Sequence, residues 1–566
     1  MSRTEQIEIE RKYDVDETAR VPDLAGVGPV SAATTEEAVS LRAVYFDTAE
    51  HLLLANRITL RRREGGHDAG WHLKLPAGLG SRREVHAPLG TDADEPVPAA
   101  VRDLVEVLLR GRPVHPTLVL DTTRTITNLV DADGDALAEV ADDEVTATNP
   151  ATTSVRAWRE WEVELAADVT KADGEALFAA VGDAFERAGA SASASKSKLA
   201  RGLGDVPGLA AGGAGAGAGA GAIAPEPVRL DERTAAAFVV GSLSRLRDEL
   251  LAVDPEVRDR AEDALHRFRT TLRRLRAVVG VFRGVLDDDT ASRLGDLLRS
   301  AGRAAGPARD LDAALESVDD HAAAAPEGFV AQEVLLRLRA RIGEAQRDAS
   351  ADLDRLLGAP EYFELLDRLD ALVVTEPTGE RAGDPRVDFV TESLARERGR
   401  ARKRLLHGVE ASAAAGSGSG LGAAAAAAAA AGAAAAAAAG AAAAAGAAAA
   451  AGAASLSASA SAPTGSADST AELHRARKAV RRFRYAQEAA RKDGLKGGGS
   501  PKKAEGLQDA LGEVLEDRAA VRLYLEAAAA ARRAEEDTFG FGVLAEIAAA
   551  PAVKAAKKLP KLAKEF

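Results

Sequence analysis

Ile7-Glu8-Ile9-Glu10-Arg11-Lys12-Tyr13 is the stretch from which the fold is read. In an extended chain successive side chains point to opposite faces, so Glu8, Glu10 and Lys12 share one face. An ordinary half-buried strand has one apolar face and one wet face. Here one face holds acids and a base in a row, and such rows recur downstream. Arg61 shares a face with Arg63, His72 with Lys74, Arg82 with Glu84, and Glu139 with Asp143. Glu160, Glu162 and Glu164 form another row, opposite Trp161, Val163 and Leu165. Taken singly, each row reads as the solvated side of a sheet. Taken together, acid rows on the first and a late strand with basic rows between them suit a closed barrel. Its lumen would hold divalent cations on carboxylates and phosphate on bases.

Around these rows, residues 1–205 read as strands at 7–13, 43–47, 58–63, 71–75, 82–87, 124–130, 136–141 and 158–165, separated by Gly, Asp and Pro. Two helical patches, 98–109 and 174–188, interrupt them. Glycine and alanine dominate 208–224, so a tether over 206–227 is expected to end this domain. Beyond it the apolar spacing turns helical, at 231–251, 256–286, 288–301, 332–357, 387–409, 470–492 and 503–531. The Ala/Gly/Ser-rich stretch 411–469 reads as a low-complexity insert.

The helical half repeats itself. Leu265-His266-Arg267-Phe268-Arg269 leads to Arg273-Arg274-Leu275-Arg276, and Leu473-His474-Arg475-Ala476-Arg477 leads to Arg481-Arg482-Phe483-Arg484, without a gap. Similar helices precede the two, with Phe238 and Leu243 matching Phe389 and Leu394. Such a duplication predicts one pseudo-symmetric bundle, with the insert inside the second copy. Leu265, Phe268, Leu272, Leu275 and Val279 form a core stripe, as do Leu473, Ala476, Val480 and Phe483. Beside each runs a basic stripe: His266, Arg269, Arg273 and Arg276, then His474, Arg477, Arg481 and Arg484. Rows of like charge destabilise an isolated helix, and the arginine fork suits phosphate, so a polyanion partner is expected.

Composition narrows the function. The 566 residues carry a formal net charge of −14, which argues against a general nucleic-acid coat, and no aromatic platforms flank the basic rows. There is no cysteine, hence neither disulfides nor thiolate metal sites. Residues 1–16 lack the apolar core of a signal peptide, and no run of large apolar residues suffices to span a bilayer, so a soluble, cytoplasmic protein is expected. No Walker-type loop or Ser-His-Asp arrangement is present.

The barrel motifs resemble those of the CYTH, or triphosphate tunnel metalloenzyme, family. The match runs in order through Glu8-x-Glu10-x-Lys12, Tyr45-Phe46-Asp47-Thr48, Leu60-Arg61-Arg62-Arg63, Leu73-Lys74, Arg82-x-Glu84, the Glu139…Asp143 strand, Glu160-x-Glu162-x-Glu164 and Ser197-Lys198. The resemblance implies an antiparallel tunnel that binds triphosphate with Mg²⁺ or Mn²⁺. By it, Glu8, Glu10, Lys12, Glu162 and Glu164 are catalytic, and Arg61, Arg63, Lys74, Arg82, Arg124 and Lys198 hold phosphate. Glu8, Glu10, Asp143, Glu162 and Glu164 are implied metal ligands, with Asp142 the alternative to Asp143.

The helical half resembles the CHAD domain. His266-x-x-Arg269-x-x-x-Arg273-Arg274-x-Arg276 matches its first signature, and the stretch from His474 through Arg484 to Tyr485 its second half. Gly306-Pro307-Ala308-Arg309-Asp310-Leu311-Asp312 resembles the loop after the first signature, and residues 511–517 a departing version of the second. The resemblance implies polyphosphate binding by His266, Arg269, Arg273, Arg274, Arg276, Arg309, His474, Arg477, Arg481, Arg482 and Arg484. The expected architecture is α+β and multidomain: an antiparallel β-barrel over 1–205, a linker over 206–227, an all-α duplicated bundle over 228–535 and a solvated tail over 536–566. The expected function is metal-dependent hydrolysis of inorganic triphosphate, or of short polyphosphate, coupled to polyphosphate binding at cytoplasmic polyphosphate granules. The alternative is a non-enzymatic polyphosphate scaffold. Adenylate cyclase chemistry, also found in the tunnel family, lacks a base-recognition motif here.

Overall fold

A computed structural model of the chain describes residues 3–76, 81–90, 95–195, 197–204, 228–416, 464–495, 497 and 499–566. The 206–227 linker and most of the insert therefore lie outside the described residues. The chain divides into two compact units, Met1–Glu226 with Leu251–Ala261, and Pro227–Leu250 with Glu262–Phe566.

The first unit is a closed barrel. Its strands are β1 (Thr4–Val15), β2 (Ala32–Thr35), β3 (Val39–Asp47), β4 (Thr59–Glu64), β5 (Gly70–Pro76), β6 (Ser81–Ala87), β7 (His115–Val130), β8 (Ala136–Thr148), β9 (Val155–Leu165) and β10 (Ser191–Ala192). The order β1-β6-β5-β4-β3-β7-β8-β9 returns to β1 through antiparallel β1–β9 pairing. Each segment read as a strand from the sequence is one. β7 and β8 extend further than their alternation predicts, because they pair continuously from Val119↔Thr148 to Val130↔Ala136 and the ladder accepts polar residues. β2 and β10 are too short to carry a period; they exist through pairing with β7 and β1.

The apolar residues face outward and are covered. Helix Lys171–Arg187, capped by Thr170, lays Leu177, Phe178, Val181 and Phe185 against Tyr13, Val140, Trp161 and Val163. Short helices Leu52–Ala55, Ala99–Arg102 and Glu106–Leu109 cover Leu60, Trp71, Leu73 and Val85. The patch 98–109 is thus two helical pieces rather than one. Inside, helix Lys198–Leu203 pushes Leu199 onto Ala43, Tyr45, Leu118, Leu120, Val145 and Ala147, which fills one end of the lumen with apolar side chains.

The second unit is all-helical from Ala235 to Glu565 among the described residues. The first stripe helix, Ala264–Val281, packs against the second, Thr464–Lys492. Their core stripes are buried, Leu265 only partly. The preceding helices, Ala235–Arg258 and Arg386–Gly416, meet through Phe282, whose ring lies 4.9 Å from Phe238 and 6.2 Å from Phe389. Arg245 donates to Ser242 at 3.2 Å and Arg396 to Ser393 at 3.0 Å, so the two copies repeat even this local bond.

Four expectations change. The stretch 306–312 is no loop but the opening of helix Gly306–Ala324, with Pro307 in the first turn, where it lacks no needed N–H. Residues 511–517 lie inside helix Pro501–Arg533, since Leu511, Val514 and Leu515 are buried at helical spacing. The insert is narrower than 411–469, with helix on both sides, to Gly416 and from Thr464. The supposed solvated tail is helix Phe539–Glu565, whose alanines at 545, 548 and 549 pack into a core with Val521, Tyr524 and Leu338. That helix is long and apolar enough by composition to cross a membrane, but half of the qualifying stretch is buried in the bundle.

Phe185 is fully buried between Tyr13 (5.1 Å) and Trp161 (4.9 Å). Phe185→Ala should destabilise the barrel by about 3–5 kcal/mol. The chain's three tryptophans, Trp71, Trp158 and Trp161, all belong to the barrel, so denaturant unfolding followed by tryptophan fluorescence reads this unit alone.

Candidate functional site

Strand register sets the lumen. Glu8 lies opposite Arg82, Lys74 opposite Glu84, Lys12 opposite Glu162, Glu10 opposite Glu164, and Arg124 opposite Asp143, which in turn faces Glu160. Side chains of paired residues project to the same face, so the rows read from the sequence converge. Apart from the buried Asp143 and Glu160, they line a cavity of about 460 Å³ together with Arg61, Arg63, Glu139 and Lys198.

Charges removed from water need partners. Lys74 Nζ lies 2.5 Å from Glu8 and 3.8 Å from Glu84, while Lys12 bridges Glu10 (2.8 Å) and Glu162. Arg124 donates through Nε and Nη2 to the two oxygens of Asp143, at 2.7 Å each. Lys198 Nζ reaches Asp143 (3.0 Å), Glu160 (2.7 Å) and Glu162 (2.5 Å). Burial pushes the Glu8 carboxyl up to about 8, with Glu84 alongside adding to it and Lys74 opposing. Burial also raises Glu164, against the pull of Lys74. At Glu162 burial acts upward too, but Lys12, Lys198 and Arg124 outweigh it and hold the carboxyl well below its usual range. Burial and the neighbouring Arg61 and Arg124 press Arg63 down to about 9.

Asp143, Glu160 and Glu162 are buried and present carboxylate oxygens within 4.8 Å of one another. An all-oxygen donor set of this kind fits a hard divalent cation. Of the three, Glu162 lines the cavity, together with Glu8, Glu10 and Glu164. Glu160 joins the cluster from the Glu160-x-Glu162-x-Glu164 row, although the family resemblance implies only Glu162 and Glu164 of that row as ligands. Asp143 is the inward residue of the Asp142/Asp143 pair; Asp142 faces away and pairs with Arg159 at 2.7 Å.

His72, also unassigned from the sequence, braces two walls. Its Nδ1 lies 2.9 Å from Glu84 Oε1 and its Nε2 2.9 Å from the Asp68 carbonyl oxygen. Glu84 is the partner of Arg61 and Lys74, and the Asp68 side chain pairs with Arg63. His72→Ala removes one hydrogen-bond partner from the buried Glu84 carboxylate and leaves a gap between the two walls, with Gln6, Arg61 and Lys74 still beside Glu84. It should cost the barrel about 1–3 kcal/mol in denaturant unfolding read by tryptophan fluorescence.

In the helical unit Arg273, Arg276, Arg481 and Arg482 line a groove of about 1350 Å³. Helices Asp288–Ala304 and Arg386–Gly416 add Arg299, Arg400, Lys403 and Arg404, which the repeat alone did not reveal. Arg273 and Arg481 make no ion pair or hydrogen bond among the described residues. Burial and the neighbouring arginines, Arg269 and Arg477 for both, press the two guanidiniums down, Arg481 to about 10. Arg269 and Arg477, by contrast, are tied to Asp310 (2.9 Å) and Glu516 (2.7 Å). Arg274 and Arg484 turn to Glu488, at 3.4 Å each. His266 and His474 are exposed on their helices. The Arg309 side chain lies outside what is described.

Comparison with known proteins agrees with both halves. The CYTH domain family matches residues 6–203 and the CHAD domain family residues 241–523. The uncharacterized proteins MT2285 and Rv2226 of two Mycobacterium tuberculosis strains, CDC 1551 / Oshkosh and ATCC 25618 / H37Rv, are each 35% identical over 381 residues, covering 65% of this chain and 70% of the relative. Among solved structures, PptA from Streptomyces chartreusis is similar at 18% identity and a TM-score of 0.42, over 58% of this chain and 99% of its own. The CHAD domain from the plant Ricinus communis is similar at 19% identity and a TM-score of 0.38, over 60% of this chain and 95% of its own.

Proposed function

The chain belongs to the CHAD domain family and carries a CYTH domain ahead of it, and from that premise we propose that the barrel hydrolyses inorganic triphosphate, or short polyphosphate, while the helical unit binds inorganic polyphosphate. The observation that carries the enzymatic half is the lumen itself, where a three-carboxylate cluster stands beside a continuous row of phosphate-holding bases.

The division of labour follows from the charges. Lys12, Arg61, Arg63, Lys74, Arg82, Arg124 and Lys198 bind the phosphoryl oxygens and position the chain end. The apolar filling around Leu199 stops the polymer from threading through, so a terminal phosphate is what the lumen accepts. Asp143, Glu160 and Glu162, with Glu8, Glu10 and Glu164 alongside, would hold Mg²⁺ or Mn²⁺, which would supply charge neutralisation and activation of water. Lys198 bridges the same three carboxylates before phosphate arrives. Glu164, whose carboxyl burial raises above its ordinary range, lines the cavity as a proton acceptor. Incoming phosphate takes over the bases from their acidic partners and so frees those carboxylates for metal.

The groove supports the second half. Arginine forks from both repeats, among them Arg273, Arg276 and Arg481 with no ion pair among the described residues, offer bidentate sites suited to an extended polyanion. A chain held there keeps substrate close to the enzyme, in the cytoplasm at polyphosphate granules.

Purified full-length protein should release phosphate from inorganic triphosphate only with Mg²⁺ or Mn²⁺, and EDTA should abolish release. Glu162→Gln and Glu10→Gln should each lower kcat on the order of 100-fold or more. Polyphosphate affinity should fall on Arg276→Ala with Arg481→Ala. Polyphosphate binding with no triphosphate release under any metal would leave the scaffold reading instead.

A further inference from the structure

Helix Phe539–Glu565 lies beyond both matched regions, 6–203 and 241–523. One face is committed to the bundle through Phe541, Leu544, Ala548, Ala552, Ala555 and Leu559. On the other face Lys554, Lys557, Lys558, Lys561 and Lys564 recur at helical spacing, and all are exposed. These are five of the chain's sixteen lysines, in a protein that elsewhere relies on arginine. None makes an ion pair or hydrogen bond among the described residues, and Glu565 is the one acid in that stretch. Like charges at three- and four-residue spacing repel, so the face stands ready for an anion.

Its position narrows the partner. The Phe566 ring meets Phe483 edge-on at 5.5 Å, and the Phe566 carbonyl oxygen accepts from Arg398 Nε at 3.0 Å. Both partners sit on groove-forming helices, where Arg482 adjoins Phe483 and Arg400 follows Arg398 by two residues. The lysine face therefore ends beside two helices that also supply groove residues. A lipid surface is disfavoured because the apolar face that would insert is already buried in the protein. A nucleic acid is disfavoured because no aromatic side chain stands among the lysines to stack on bases. Lysine is a hydrated point charge without the fixed fork of arginine, which suits loose contact with a polymer free to shift register.

We propose that this face is a second contact for the same long polyphosphate chain, gripping the part that extends past the groove; the proposal rests on the polyphosphate reading of the groove. The test compares wild type with a variant carrying Lys→Gln at 554, 557, 558, 561 and 564, full length, against inorganic triphosphate and long-chain sodium polyphosphate. Circular dichroism melting serves as the folding control. Affinity for the long chain should drop ~10-fold or more, and the slope of log affinity against log salt should flatten by about 3, with triphosphate affinity unchanged. An unaltered long-chain affinity and salt slope would overturn the proposal, and the groove reading would still stand if Arg276→Ala with Arg481→Ala abolishes binding. Lysine-dependent binding of duplex DNA, RNA or anionic vesicles, without lysine-dependent binding of polyphosphate, would overturn it too. Failure of the wild type to bind polyphosphate at all removes both.

Discussion

Buried charge must be paired across strands, and in the barrel this requirement fixes everything else. Glu8, Asp143, Glu160 and Glu162 are almost withdrawn from solvent, and removing one partner of a buried pair costs about 3–5 kcal/mol. Such a set is tolerable only if each acid meets a base at its own level of the ring. The observed register sets Lys12 against Glu162, Lys74 against Glu84 and Arg124 against Asp143, while Lys198 supplies the base for Glu160. A slip of one residue would turn every charged row outward and every apolar row inward. The pairing that makes the lumen chemically useful is therefore also what specifies the fold.

The inversion has a second consequence. With charges inside, the apolar face of each strand points out and must be covered. Helix Lys171–Arg187 covers Trp161 and Val163, and the short helices before β7 cover Trp71 and Leu73. The barrel's hydrophobic stability thus resides in its outer shell. The lumen contributes specificity of register, and Leu199 with its neighbours closes one end. Phosphate and metal compete for groups already in use as each other's partners, so binding exchanges one set of ion pairs for another.

The helical unit treats charge in the opposite way. Its repeats stack apolar stripes into a common core and leave the neighbouring stripe basic, without the interleaved acids of the lumen. Where acids are available, at Asp310, Glu516, Glu397 and Glu488, they tie down Arg269, Arg477, Arg482, Arg274 and Arg484. Arg273 and Arg481 stay without such partners, and burial together with the neighbouring arginines, Arg269 and Arg477 for both, presses their guanidiniums down. An incoming polyanion relieves that repulsion.

The sequence by itself determined the strands of the barrel, their inward rows and the duplicated stripes, because periods of 2 and 3.6 are local properties of the chain. It also marked Glu8, Glu10, Lys12, Glu162 and the arginines as candidates, because charge type and parity suffice for that. Only the tertiary structure decided between Asp142 and Asp143, since both are aspartates and the direction each faces depends on register with β9. It alone brought Glu160 into the carboxylate cluster, His72 between Glu84 and Asp68, and Arg299, Arg400, Lys403 and Arg404 into the groove. Those groups come from elements distant in sequence, and no local period records such a meeting. The last helix was misread for the same reason: an alanine-rich lysine segment looks solvated until a partner core, here Val521, Tyr524 and Leu338, is present to bury its small face.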